Sequence, residues 1–148
     1  MLRHYFIAAS IALLSLGTQY GGALHAQTTS SYGEQRRQIL SDIRTSIIRI
    51  VGTEGYTAES FEVTAPDSVL TVSSINSQMN TATHADRDRE ANLIASVVSK
   101  AILGKLEFKT LVAIHVLYVM RAADGRSKIV DTVEFRRDPK GEFIYHLT

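Results

Sequence analysis

The stretch "FKTLVAIHVLYVMR", residues 108–121, is apolar at odd and even positions alike and rich in β-branched residues. A strand exposed on one face alternates apolar and polar side chains, so this pattern reads as a central strand buried on both faces. Two turn signals follow. "AADGR" (122–126) leads to "SKIVDTVEFRR" (127–137), and "DPKG" (138–141) leads to "EFIYHLT" (142–148). Pro139 suits the second position of a type I turn, and Gly125 and Gly141 suit the left-handed position of a three-residue hairpin loop. The chain therefore ends in two successive hairpins.

Those loop lengths set a register. Odd positions then share one face: Leu111, Ala113, His115, Leu117 and Val119 on the first strand, Ile129, Asp131, Val133 and Phe135 on the second, Phe143, Tyr145 and Leu147 on the third. That face is expected to carry the core. On the even face the last two strands are polar, but the first presents Val112, Ile114, Val116, Tyr118 and Met120. This stripe needs a cover. It is either a surface for self-association or another protein, or the seat of a helix from the same chain.

Working back from the long strand, "THADRDREANLIASVVSKAILG" (83–104) repeats apolar residues at helical spacing: Ala91, Ile94, Ala95, Val98, Ala101 and Ile102. Thr83 and Asp86 form a capping-box pattern, and Lys100 and Gly104 mark the helix end. Before it, "SVLTVSSIN" (68–76) reads as a strand. Strand, helix and strand make a βαβ unit with parallel strands and a right-handed crossover. Residues 53–67 are ambiguous, with a short strand at "SFEVT" (60–64) before Pro66 breaks it. Further back, "EQRRQILSDIRTSIIRIV" (34–51) places Ile39, Leu40, Ile43, Ile47, Ile50 and Val51 on one helical stripe, and Gly52 stops it. The expected fold is a single α+β domain over 34–148, in the order α-β-α-β-β-β, with a four-stranded mixed sheet.

The N-terminus, "MLRHYFIAASIALLSLGTQYGGALHA", has a basic start, an apolar run of about a dozen residues and a small-residue end, the three-part pattern of a secretory signal peptide. The run is short of the roughly 20 residues needed to span a bilayer. Cleavage is expected after Ala26, with Ala23 as the alternative. Residues 27–33 are read as a disordered lead. The chain is expected to be exported, to the periplasm or the medium, with no membrane span after cleavage. It has no Cys, which excludes disulfides and thiolate metal sites.

The whole chain has 16 basic and 15 acidic residues, and the leader holds one Arg and no acid. A mature domain of zero formal charge gives no electrostatic footprint for nucleic acid. His84, His115 and His146 stand on different elements without metal-ligand spacing, so no metal and no cofactor is implied. His115 would lie diagonal to Asp131, a contact better read as a core pair than as a catalytic base. Asn76, Ser77 and Asn80 close a parallel strand just before a helix start, where α/β folds often bind ligands. The same residues also serve plain turn and capping chemistry. The sequence favours a binding or interaction module, with another envelope protein or a second copy as partner. A small-molecule-binding or hydrolase-like site at Asn76, Ser77 and Asn80 is the alternative.

Overall fold

The computed structural model describes residues 20–52 and 60–146. The basic start and the whole apolar run of the expected signal peptide lie outside the described residues, as do residues 53–59 of the ambiguous stretch, Leu147 and Thr148. The chain divides into two units, Met1–Glu34 and Gln35–Thr148. The order is α1 (Tyr20–Val51), β1 (Phe61–Thr64), β2 (Val69–Ile75), α2 (His84–Ile102), β3 (Ala113–Arg121), β4 (Ser127–Arg137) and β5 (Phe143–His146).

The fold is α+β, with a mixed sheet of five strands rather than four, in the order β1-β2-β3-β4-β5. The additional strand is β1, which pairs antiparallel with β2 from Phe61 opposite Ser74 to Thr64 opposite Thr71. β2 and β3 are parallel, with α2 between them in sequence, so the βαβ unit stands. Helix α1 includes residues 27–33, which the sequence suggests as a disordered lead. Gln, Thr and Ser there lack apolar periodicity, but their helix propensities fall only tenths of a kcal/mol below those of good formers, and no Pro interrupts the run (~0.5 kcal/mol per residue).

One irregularity decides which face of β3 is buried. The expected pairing holds near the turn, where Val119 faces Ile129 and Met120 faces Lys128. Beyond that point Tyr118 faces Asp131, so Val130 is an extra residue in β4, a β-bulge. The bulge shifts parity. Even positions of β3 now share a face with odd positions of β4, with Ile114 opposite Phe135 and Val116 opposite Val133. In β4 the odd face holds the core at Val133 and Phe135, as expected from sequence, but Ile129 is exposed, and in β5 only Phe143 packs, partly buried, against that core. In β3 the core belongs to Ile114, Val116 and Tyr118, each fully buried. This corrects the expected β3 face. The hairpin loop fixes register only as far as the first bulge, and a strand apolar on both faces cannot pin it further.

That core face is covered by both helices. Ile43 and Ile47 of α1 and Ile94 and Val98 of α2 join Phe61, Leu70, Val72, Ile114, Val116 and Tyr118 in one cluster. The β-branched tail of α1 stays helical because this packing outweighs its strand preference. Arg36 anchors α1 further. Its guanidinium donates to the carbonyls of Ala65 and Glu107 and lies 5.1 Å above the Phe108 ring. The opposite face of the sheet carries Thr71, Ser73, His115, Leu117, Thr132 and Glu134, partly or fully solvated. No described helix is long and apolar enough to cross a membrane.

Candidate functional site

Asn76 adopts a left-handed backbone, φ 49°, which Asn tolerates better than most residues. Its side chain extends the β2–β3 ladder by two bonds: Nδ2 donates to the Arg121 carbonyl at 3.0 Å, and Oδ1 accepts from the Arg121 amide at 2.7 Å. Asn80 Nδ2 donates to the Val119 carbonyl at 3.0 Å. Both amides therefore secure the end of β3. Ser77 Oγ and Asn80 Oδ1 are buried without a hydrogen-bond partner among the described residues.

Thr83 then caps α2 in a full capping box with Asp86. Next to it lies a cluster that sequence spacing does not reveal. The bulge at Val130 turns Asp131 toward the first turn of α2 rather than toward His115. Asp131 Oδ2 accepts from His84 Nδ1 at 2.7 Å and from Arg87 Nε at 2.6 Å, and Oδ1 accepts from the Thr132 amide at 2.8 Å. Arg87 also donates to the carbonyls of Met79 and Ala82, and the Tyr118 hydroxyl donates to the Arg87 carbonyl at 2.7 Å. His84 Nε2 lies 3.5 Å from Asp88, whose other oxygen is 3.4 Å from the Tyr145 hydroxyl.

The electrostatics follow from these contacts. The Asp131 hydrogen bond, with the charges of Asp131 and Asp88, raises the His84 pKa above its ordinary value, against the opposing charge of Arg87. Burial alone would push the Asp131 carboxyl up. The hydrogen bonds from His84, Arg87 and the Thr132 amide outweigh it and hold the group below the ordinary range. Burial, with Asp88 beside it, raises the Tyr145 hydroxyl. A general base needs a free imidazole nitrogen facing a substrate proton. His84 instead has a carboxylate at each nitrogen, so the cluster is suited to fastening α2 to β4. His115 is on the opposite face, 3.7 Å from Glu134, so it and Asp131 are not brought together. Hydrogen bonding from Arg136 lowers the Glu134 pKa, partly against burial. Among the described residues no group of three His, Asp or Glu side chains is placed to hold a metal ion.

The apolar stripe separates into two parts. Ile114, Val116 and Tyr118 are core, while Val112 and Met120 are exposed at the two ends of the strand. Helix α1 from the same chain contributes to the cover.

A groove of about 480 Å³ lies between α2 and the β4–β5 hairpin. Phe135, Phe143 and Tyr145 form its aromatic side, with Phe135 and Tyr145 in edge-to-face contact at 5.8 Å. Ala95, Ser96 and Ser99 of α2 form the opposite wall. Small residues on that helix face leave the space open. At the end where β5 begins, Lys100 and Arg137 line the groove with one acid, Glu142. Arg137 is fixed 5.4 Å above the Phe143 ring, and its Nη1 donates to the carbonyls of Lys109 and Leu111. The volume falls in the range of small-ligand sites, and apolar walls with a few convergent polar groups are their usual make-up. Sequence reading finds the aromatic residues as core and misses the groove, because the width of the gap between α2 and β5 is a tertiary property.

Against this geometry, no family model, curated protein or solved structure matches the chain.

Proposed function

We propose that the protein is a small exported binding module, acting in the periplasm or outside the cell, that takes its ligand or partner in the groove between α2 and β5. The observation that carries this reading is the groove itself. Three aromatic rings stand opposite Ala95, Ser96 and Ser99, and a fixed Arg137 and an exposed Lys100 stand at one end. The polar residues of the strand end and the first turn of α2 are engaged elsewhere: the Asn76 and Asn80 amide nitrogens with β3, and His84 with two carboxylates. Export rests on the N-terminal pattern of basic start, apolar run and small-residue end. The partner is another envelope protein or a second copy.

A second reading has one observation in its favour. Ser77 Oγ and Asn80 Oδ1 are buried without partners among the described residues, and a small polar ligand would satisfy them. Titrating 3-phenylpropionate into ¹⁵N-labelled protein separates the two. The groove reading expects saturable shift changes confined to Asn92–Ile102 of α2 and to β5, lost when Ser99→Trp fills the groove. Changes centred on residues 76–80, or no saturable change, would overturn it.

A further inference from the structure

The groove stands beside the outer strand of the sheet, and we infer that its occupant is an extended peptide segment of a partner protein, added to β5 as a sixth strand. This inference rests on the proposed binding role of the groove and names the class of partner.

Three observations lead there. The first is topology. β5 ends the strand order, so its outward backbone N–H and C=O groups have no partner strand among the described residues. Such an edge is a template for pairing unless Lys, Pro, an inward charge or short length blunts it. Phe143, Ile144, Tyr145 and His146 include no Lys, Pro or acid, and only the four-residue length of the strand limits pairing.

The second is exposure on both faces of one strand. Tyr145, on the groove side, is 36% exposed, and Ile144, on the opposite face, is 53% exposed. A compact molecule in the groove covers only the first. An added strand alternates its side chains, one set entering the groove beside Phe143 and Tyr145 and the other lying next to Ile144. The lengths agree. Four residues of β5 span about 13 Å, and α2 from Asn92 to Ile102 runs about 15 Å alongside.

The third is charge. Arg137 pairs with Phe143 in the sheet, and Lys100 lines the same end of the groove, against one acid, Glu142. An acidic side chain or a terminal carboxylate on the peptide matches that end. A second copy fits less well. Pairing antiparallel through β5, it would bring its own His146 toward Lys100 and Arg137, and its Glu142 would lie at the far end.

The test is selection of displayed random heptapeptides on the full protein, with counter-selection on the Ser99→Trp variant, whose folding is checked by its thermal melt. Enriched sequences should alternate apolar residues and carry an acid at one end. N-methylation walked along an enriched peptide should weaken binding about tenfold at alternate amides only, the loss of one backbone hydrogen bond. Lys100→Glu should weaken the same peptide while leaving the fold intact. Binding indifferent to N-methylation would overturn strand addition and leave the groove as a site for compact ligands. No enrichment would overturn the peptide, and no saturable response to 3-phenylpropionate would overturn the groove as well. A concentration-dependent dimer abolished by Ile144→Lys would replace the peptide with a second copy.

Discussion

Replacing Asp131 by Asn tests the cluster that ties α2 to the sheet. The side chains of Arg87 and Asp131 are 13% and 16% exposed, so their ion pair is largely withdrawn from water. Breaking a buried pair costs about 3–5 kcal/mol because the remaining charge loses its partner. Here the Arg87 guanidinium keeps the carbonyls of Met79 and Ala82, and the new amide oxygen still accepts a hydrogen bond. The expected loss is therefore lower, about 2–3 kcal/mol. The loss should also depend on pH. His84 has a raised pKa, so its contribution is complete below its ordinary value of 6.5 and is lost as the pH rises through the raised pKa. Asp131 has a lowered pKa, so its contribution is complete above 3.8 and is lost as the pH falls through the lowered pKa. The difference between wild type and Asp131→Asn should be greatest between those two ordinary values. It should narrow toward higher pH, where His84 loses its charge and Arg87 is the one charged partner left to Asp131 among those named. Urea denaturation followed by circular dichroism at pH 5.5 and 8.5 reads both terms. A difference below about 0.5 kcal/mol at both pH values, typical of a solvated surface pair, or one that grows toward pH 8.5, would refute the reasoning.

Three further outcomes follow from the packing and the caps. Ile114→Ala should lose about 2–5 kcal/mol as a fully buried large-to-small change, while Leu117→Ala on the open face loses clearly less; parallel urea curves measure both, and equal losses would count against the bulge at Val130. Thr83→Ala removes one side of the capping box and should destabilise by about 1 kcal/mol, read by thermal melting, with no effect on groove binding. At Gly52 an added Cβ would lie 2.0 Å from the Ile48 carbonyl oxygen, so Gly52→Ala should fray the last turn of α1, visible as faster exchange of the amide at position 52, which bonds to that oxygen in the wild type.

Much of this fold is legible in the sequence because the local signals agree. The capping box at Thr83 and Asp86, the stripe of α2 and the turn at Gly141 each predict their element, and the β4–β5 register follows from the loop. What fails does so for a specific physical reason. Val130 gives no sign of being a bulge, since Val fits a regular strand equally well, yet it decides which face of β3 is buried. The strand β1 is short and lies next to Pro66, so its pattern alone is too weak to fix it. The Asp131 cluster is hidden for the same reason as the face of β3: with regular pairing Asp131 would point toward His115, and only the bulge delivers it to Arg87 and His84. Asn76 and Asn80 are legible as special, but sequence does not separate a ligand site from a ladder extension. The hydrogen bonds to Arg121 and Val119 favour the extension.

The absence of native Cys allows a direct test of where binding occurs. Single substitutions Ser99→Cys, in the groove, and Thr81→Cys, exposed beside Asn80 at the strand end, are labelled with a maleimide with and without a peptide enriched by the selection. Binding in the groove should slow labelling at position 99 and leave position 81 unchanged. Protection at position 81 with none at position 99 would contradict the account and return the strand end to first place.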